Sequence, residues 1–310
     1  MKSQRAVCHS AVGAACLLSL LALVDPTIAT GAEDTDGRLE LVLEADRTQL
    51  LLSEPVYVAV RLINRGKESV SVYHDLDPEL GWLRIEFVGP QGPISFAPWS
   101  VADSELTPQP LAPNAEVSAL FPIFYGGRGW TFSRPGQYTA TAVYTDRVNQ
   151  RERVLRSNSV EFEVREDPAG EFLIRDPAGS EAGKLLMWQQ GDHLRKGIVR
   201  LEELTRTFPK SRLASYANLA LGVNLSRSFK DYSTGQLREP QCEASLELLS
   251  RVRNDDLPAS LRMERKLSEA RCLRLTGKPE DADAALRVAR SLAGERTYLQ
   301  RRVEEETKRP

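Results

Sequence analysis

Histidine is nearly missing from this 310-residue chain, which holds only His9, His74 and His193. No His-Glu-x-x-His run occurs, so the usual helical zinc-hydrolase site is excluded. Cysteine is almost as scarce, with four residues and no Cys-x-x-Cys pair, which removes thioredoxin-type redox chemistry and zinc fingers. There is no Gly-x-Ser-x-Gly elbow for a serine hydrolase. The glycine-rich stretch Phe124-Tyr125-Gly126-Gly127-Arg128-Gly129-Trp130 lacks the Lys-Ser/Thr ending of a phosphate loop and reads as a loop with aromatic anchors. An excess of one charge is also lacking: 41 basic against 43 acidic residues give a net charge of −2. Without clustered Lys and Arg there is no field for nucleic acid or an anionic membrane. The expectation is a chain with no catalytic residue, no cofactor and no metal ligand; Asp and Glu are plentiful, but nothing pairs two of them as a carboxylate hydrolase requires.

One long apolar run is present, at the N-terminus. Lys2 and Arg5 precede an uncharged stretch from Ala6 to Val24, Asp25-Pro26 breaks it, and small residues follow through Ala32. A basic start, an apolar middle and a small-residue exit are the pattern of a secretory signal peptide over residues 1–32. Cleavage fits after Ala29 or after Ala32; a retained membrane anchor is the other reading of a run just long enough to span. A lipid anchor is disfavoured because Cys16 precedes the most apolar part, Leu17 to Val24. Removing Lys2, Arg5 and Asp25 leaves a mature net charge of −3. The destination expected is outside the cytoplasm, periplasmic or secreted, with no stable membrane insertion after cleavage.

From residue 38 to 165 the apolar pattern has period two. Leu39, Leu41 and Leu43 alternate with Glu40, Val42 and Glu44, and Val56, Val58, Val60 and Leu62 do the same with their neighbours. Further short runs cover Leu83 to Val88, Ala115 to Phe121, Tyr138 to Thr145, Arg151 to Arg156 and Ser159 to Arg165, separated by Gly, Pro and Asn turns. Such spacing predicts an antiparallel β-sandwich. Ser53-Glu54-Pro55-Val56 running into Asn64-Arg65-Gly66 resembles the opening of bacterial immunoglobulin-like domains, and Pro135-Gly136-Gln137-Tyr138-Thr139-Ala140 resembles their late strand. Macroglobulin-type and BsuPI-type proteinase-inhibitor domains open similarly. The resemblance implies an all-β immunoglobulin-like sandwich with the Tyr138 ring in the core and its hydroxyl returned to backbone. Trp82 borders a strand and is expected in the core; Trp99 and Trp130 are either core or part of an exposed binding platform.

A linker is expected over residues 166–179, and from 180 to 307 the period lengthens to that of helices. Leu194, Ile198, Leu201, Leu204 and Phe208 recur at helical spacing, and Pro209-Lys210-Ser211 ends one helix and caps the next. Helical segments follow from Ala214, Ala244, Leu261 and Ala282. Gly197, Leu201, Phe208 and Pro209, then Leu221, Gly222, Tyr232, Ala244, Leu248 and Pro258, then Ala270, Gly277 and Ala285-Leu286 resemble tetratricopeptide repeats, although Pro209 and Pro258 are 49 residues apart, well beyond the usual period of about 34. That likeness implies an all-α helical-hairpin repeat domain whose concave face takes a protein or peptide partner; a short array packing only on the sandwich is the alternative. His193, after Gly191-Asp192 at a helix start, is expected at the surface with Asp192 as the cap. The acidic stretch His74-Asp75-Leu76-Asp77-Pro78-Glu79 reads as a solvated loop rather than a calcium site.

Cys242 and Cys272 survive cleavage and lie equidistant from residue 257, beside Pro258. Two helices folding about that turn bring them face to face. In an oxidising compartment they pair as a disulfide; two buried thiols are the other possibility. The function expected is an exported, non-catalytic protein-binding or scaffold protein, with the helical array as contact surface and the sandwich as spacer or second contact. The alternative is a proteinase inhibitor acting through a sandwich loop such as Ala97 to Pro113.

Overall fold

The computed structural model describes residues 38–100, 107–148, 151–232, 234–294 and 296–308. The proposed signal peptide, with Cys8 and Cys16, lies outside the described residues. Among the described residues no helix is long and apolar enough to cross a membrane. Among the described residues a β-rich part comes first and eight α-helices follow.

The β part runs through β1 (Leu39–Ala45), β2 (Gln49–Leu51), β3 (Tyr57–Asn64), β4 (Val70–Val72), β5 (Leu83–Gly89), β6 (Gly92–Ile94), β7 (Gln109–Leu111), β8 (Glu116–Pro122), β9 (Tyr125–Gly126), β10 (Gly129–Trp130), β11 (Gly136–Val148) and β12 (Arg151–Arg165). The two larger sheets have the orders β1-β3-β8 and β2-β12-β11-β5-β6, and β4 with β7 and β9 with β10 form two-stranded pairs. The register sets Leu41 opposite Leu62 and Leu43 opposite Val60, so the period-two residues of both strands share one face. Leu39, Leu41, Leu43, Val58, Val60 and Leu62 are buried on that face against Ile85, Phe87, Ala140, Tyr144, Leu155 and Phe162 of the second sheet.

The runs expected separately at Arg151–Arg156 and Ser159–Arg165 are one strand. Between them the register shifts opposite Thr141 and Val143, where the buried Ser157 hydroxyl accepts from Ala142 N at 2.9 Å. The bulge turns Asn158 toward the other sheet. Its side-chain amide accepts from Leu43 N at 2.9 Å and donates to Leu43 O at 3.0 Å, tying the sheets together. Tyr138 stands as expected: its ring is buried against Phe132, with centroids 5.1 Å apart, and its hydroxyl donates to Arg134 O at 2.8 Å.

The segment expected as a linker is helical instead. Asp167 caps α1 (Pro168–Ile174) by accepting from Gly170 N at 3.1 Å, with Pro168 in the first turn. Proline there suits a helix start as well as a turn, which is why the composition reads both ways. At Gly170 a Cβ would stand 2.1 Å from Leu52 O; only glycine lets this helix lie directly on the sandwich. Then come α2 (Asp176–Trp188), α3 (Arg195–Thr207), α4 (Arg212–Leu225), the hairpin β13 (Phe229–Lys230) and β14 (Leu237–Arg238), and α5 (Cys242–Ser250), α6 (Ala259–Leu275), α7 (Pro279–Ala293) and α8 (Thr297–Thr307). Ser211 caps α4 by accepting from Leu213 N. Consecutive pairs α2 with α3, α4 with α5 and α6 with α7 pack together. Tyr232, placed by the sequence within a repeat, is instead 88% exposed on the β13–β14 hairpin.

The two parts share one core. Buried residues run without a break from Leu39 in β1 to Leu261 in α6. At its centre Glu54, fully buried, accepts from Arg47 Nη1 at 2.9 Å, Arg212 Nη2 at 2.5 Å, Tyr216 Oη at 3.1 Å and Leu51 N at 2.8 Å. Two of those donors belong to α4, so a sandwich carboxylate holds the helical part.

Helix α8 closes a second core, with Leu299 and Val303 buried among Met263, Leu267 and Leu286. Glu264 anchors it, taking Arg227 Nη2 at 2.7 Å and Arg302 Nη2 at 2.6 Å. Burial raises the Glu264 carboxyl, but Arg302, Arg227 and Arg271 outweigh it and hold the group below its ordinary 4.5. A carboxylate so shifted contributes stability above that ordinary value and loses it as pH falls toward its own lower one. Helix α8 is therefore expected to loosen below about pH 4.5, seen as tryptic cuts in residues 296–308 after pH pulses. The Glu264→Gln variant should show no such pH step; an equal step in both would contradict this role.

Candidate functional site

The site is built where the sandwich meets the end of α2. Residues just after β6 supply Phe96, Pro98 and Trp99; the end of β8 supplies Leu120 to Pro122; β9 supplies Tyr125; α2 supplies Met187 and Trp188. Together they line a groove of about 390 Å3 whose rim carries Asp77 and Glu79.

Three glycines permit its geometry. A Cβ on Gly126 would stand 2.2 Å from Ala97 O, and Gly127 N donates to that carbonyl at 3.0 Å, so the Ala97-Pro98-Trp99 segment lies flat on the β9–β10 turn. On α2, a Cβ at Gly183 would stand 2.3 Å from the Tyr125 ring. Tyr125 is thereby pressed on the helix, with its hydroxyl 2.7 Å from Ser180 Oγ.

The aromatic rings then form a connected set. Trp99 stacks on Tyr125 with centroids 6.2 Å apart and meets the Trp188 edge at 5.4 Å and 85°. Tyr125 meets Trp130 at 5.3 Å. Lys184 Nζ stands 4.3 Å from the Trp99 ring centroid, a cation–π contact. Trp188 remains 37% exposed, and Trp99 is half-buried. Burial and the Glu79 and Asp75 carboxylates hold the Asp77 carboxyl above its usual value, against the hydrogen bond from Glu79 N. The groove thus presents aromatic faces and edges, one amine and an acidic rim. These groups can bind; none of them is a nucleophile with an adjacent base.

The residues singled out by sequence are distributed as follows. Trp99 and Trp130 both belong to the aromatic set, while Trp82, expected in the core, is half-buried and stacks on Tyr73 at 4.2 Å. Its indole donates to Asp75 O at 2.5 Å, so it sits over the acidic turn instead of between the sheets. That turn is held by its own groups, with Asp75 accepting from Asp77 N and Asp77 from Glu79 N. His74 is half-buried and its Nε2 has no partner. His193 is exposed and stacks on Phe229 at 5.8 Å. Asp192 does not cap α3, which begins after Leu194 without a side-chain cap; its carboxylate is taken by Arg238 and Asn224. Among the described residues no group of three His, Cys, Asp or Glu side chains could hold a metal ion.

Cys242 and Cys272 are both buried free thiols. They are neighbours, on α5 and α6, which fold about the turn at Asn254–Asp256. Burial, then the hydrogen bond with Cys242, pushes the Cys272 thiol up to about 12. In the loop Ala97 to Pro113, residues 101–106 lie outside the described ones.

Trp188, Met187 and Lys184 are members that sequence reasoning missed, whereas Tyr125 was within the loop read as carrying aromatic anchors. Trp188 follows Leu185-Leu186 at helical spacing and reads as one more core position.

No family model matches this chain, and no curated protein matches it. Among solved structures, the crystal structure of the CARDB domain of the PF1109 protein from Pyrococcus furiosus, in complex with di-metal ions, is similar over 42% of this chain and 94% of that one, at 12% identity and a TM-score of 0.23. The solution structure of the same domain matches over 41% and 94%, at 13% identity and 0.23. A beta-glucosidase from Listeria innocua, in complex with glucose, matches over 41% of this chain and 16% of its own, at 15% identity and 0.20. Likenesses of this size carry no inference about what this chain does.

Proposed function

We propose that the chain is an exported, non-catalytic binding protein that holds an extended, apolar and basic segment of a partner protein in the aromatic groove. The observation that carries this reading is the half-exposed Trp99–Trp188 pair, set over Tyr125 beneath an acidic rim. Aromatic residues left at a surface supply large contact area at low entropic cost, and interfaces concentrate their energy in such anchors. Asp77, Glu79 and the neighbouring Asp75 give the rim a negative field that favours a Lys or Arg on the partner. We further read the β part as an immunoglobulin-like sandwich, supported by its two facing sheets and the Tyr138 corner. The helical part is read as a tetratricopeptide-like array, supported by the pairwise packing of α2 to α7. In this arrangement the helical part contributes α2 to the contact surface, and the sandwich is the second wall.

The test is selection of displayed random peptides on the purified protein. Enriched peptides should combine an aromatic or aliphatic residue with a Lys or Arg. They should lose about tenfold or more in affinity for Trp188→Ala, a truncation of a central aromatic anchor. Trp188 is exposed enough that its loss leaves the fold intact. Peptides that bind Trp188→Ala as well as the parent would refute the groove as the contact.

A further inference from the structure

The hydrogen-bonding groups of the aromatic groove narrow the kind of segment it can hold. Of the four tryptophans, Trp82 gives its indole N–H to Asp75 O, and the Trp130 N–H is shut inside the protein. The Trp99 and Trp188 indoles line the groove and have no hydrogen-bond partner among the described residues. The Trp99 ring is half-buried, yet its Nε1 stays within reach of solvent. The two ring planes cross at 85° with centroids 5.4 Å apart, so they form an aromatic corner with N–H donors to spare.

The rest of the wall is poor in backbone donors. Pro98 and Pro122 have no N–H, and the Ile123 amide is given to Val56 O at 3.1 Å. A partner that joins as a β-strand needs a row of alternating donors and acceptors along the edge it meets. Strand β8 is such an edge, but Pro122 interrupts the row where the groove begins. The acids of the rim are also unspent. Asp75 accepts from Asp77 N at 3.1 Å and Asp77 from Glu79 N at 2.9 Å, and none of the three forms an ion pair among the described residues. Lys184, the cation nearest the rings, lies on the Trp99 face instead.

Resting on the reading of this groove as the contact surface, we propose that its occupant is a proline-rich segment in the polyproline II form, with an Arg or Lys seated at the Asp77–Glu79 rim. Such a chain has no internal hydrogen bonds and holds its carbonyls outward, with three residues and about 9 Å to the turn. Its prolines bring apolar rings to the aromatic corner and lack the N–H that this wall is badly placed to satisfy. Its carbonyls take the free indole donors. It also arrives stiff, so it loses less entropy on binding than a flexible chain. The basic residue completes the match in charge.

The test sets two displayed random-peptide libraries in competition for the purified protein, one containing proline and one without it. Proline-containing clones should win, with two prolines three residues apart, the period of the helix, and an Arg or Lys beside them. The winning peptide, made synthetically, should lose about tenfold or more in affinity when both prolines become alanine. Glu79→Lys, whose side chain has no partner to lose among the described residues, should weaken it about fivefold. Replacing the basic residue of the peptide by Glu should restore binding to that variant. Winners without proline that still depend on Trp188 would overturn the proline-rich occupant and leave the groove as the contact. Winners that bind Trp188→Ala as well as the parent, or no binder from either library, would remove both. Proline-rich winners indifferent to Glu79→Lys would overturn the seat given to the basic residue.

Discussion

Replacing Glu54 by alanine is expected to destabilise the protein by about 3–5 kcal/mol, the cost of breaking a buried ion pair from one side. The reason lies in which partners can recover. Arg47 and Arg212 are 21% and 28% exposed, so their guanidiniums can turn toward water. Tyr216, 3% exposed, and the Leu51 amide cannot, and each loses its acceptor inside the seam between sandwich and α4. Glu54→Gln keeps an acceptor for one of them and should cost less. Because the core runs unbroken through that seam, unfolding should remain a single transition, with β and α signals moving together. Urea melts followed by circular dichroism and by tryptophan fluorescence check both points. A loss under about 1 kcal/mol, smaller than the ordinary worth of a charged hydrogen bond, would show that the seam does not depend on Glu54.

Oxidation of Cys242 and Cys272 is the second large effect expected. Joining residues 242 and 272 closes a loop of about 30 residues in the unfolded chain, which stabilises by roughly 3–4 kcal/mol in the chain-entropy model. The packing bears on when this happens. Burial and its bond with Cys242 push the Cys272 thiol up to about 12, so at neutral pH Cys272 holds almost no thiolate, and both sulfurs are shielded by burial from an oxidant. The bond is therefore expected to form during folding, before α5 and α6 close, and to form slowly if oxidant is added to the folded, reduced protein. Protein produced in an oxidising compartment and unfolded without reductant should show no free thiol. Reducing it should lower its stability by the stated amount, and Cys242→Ser with Cys272→Ser should match the reduced form. Two titratable thiols in protein produced there would contradict the disulfide.

What the sequence made legible was local. The alternation of Leu39, Leu41 and Leu43, the Tyr138 corner and the Ser211 cap each depend on residues within a few positions, and all three stand in the structure. The linker failed because Asp167-Pro168 suits a turn and a helix start equally, and the deciding contact, Gly170 on Leu52, joins residues far apart. Helix α8 was hidden by its charge: Leu299 and Val303 are the buried pair in a run dominated by Arg and Glu. The acidic motif Ser53-Glu54-Pro55 was readable as a strand opening, yet its Arg212 partner is 158 residues away. The aromatic groove shows the same limit. Trp99 and Trp130 were visible as candidates for a platform, but Trp188 joins them only because Gly183 lets α2 lie on Tyr125. Periodicity reports which face a residue takes within its own element, and it carries no information on which distant element meets that face.

Amide hydrogen exchange of the protein, with and without a peptide selected on it, tests the binding groove most directly. Protection is expected over residues 96–99, 120–125 and 183–188, the three segments that build its walls, and it should vanish in Trp188→Ala. Protection confined to α6 to α8, or none in those three segments while the peptide is bound, would place the contact elsewhere and contradict the assignment of function to the junction of sandwich and helices.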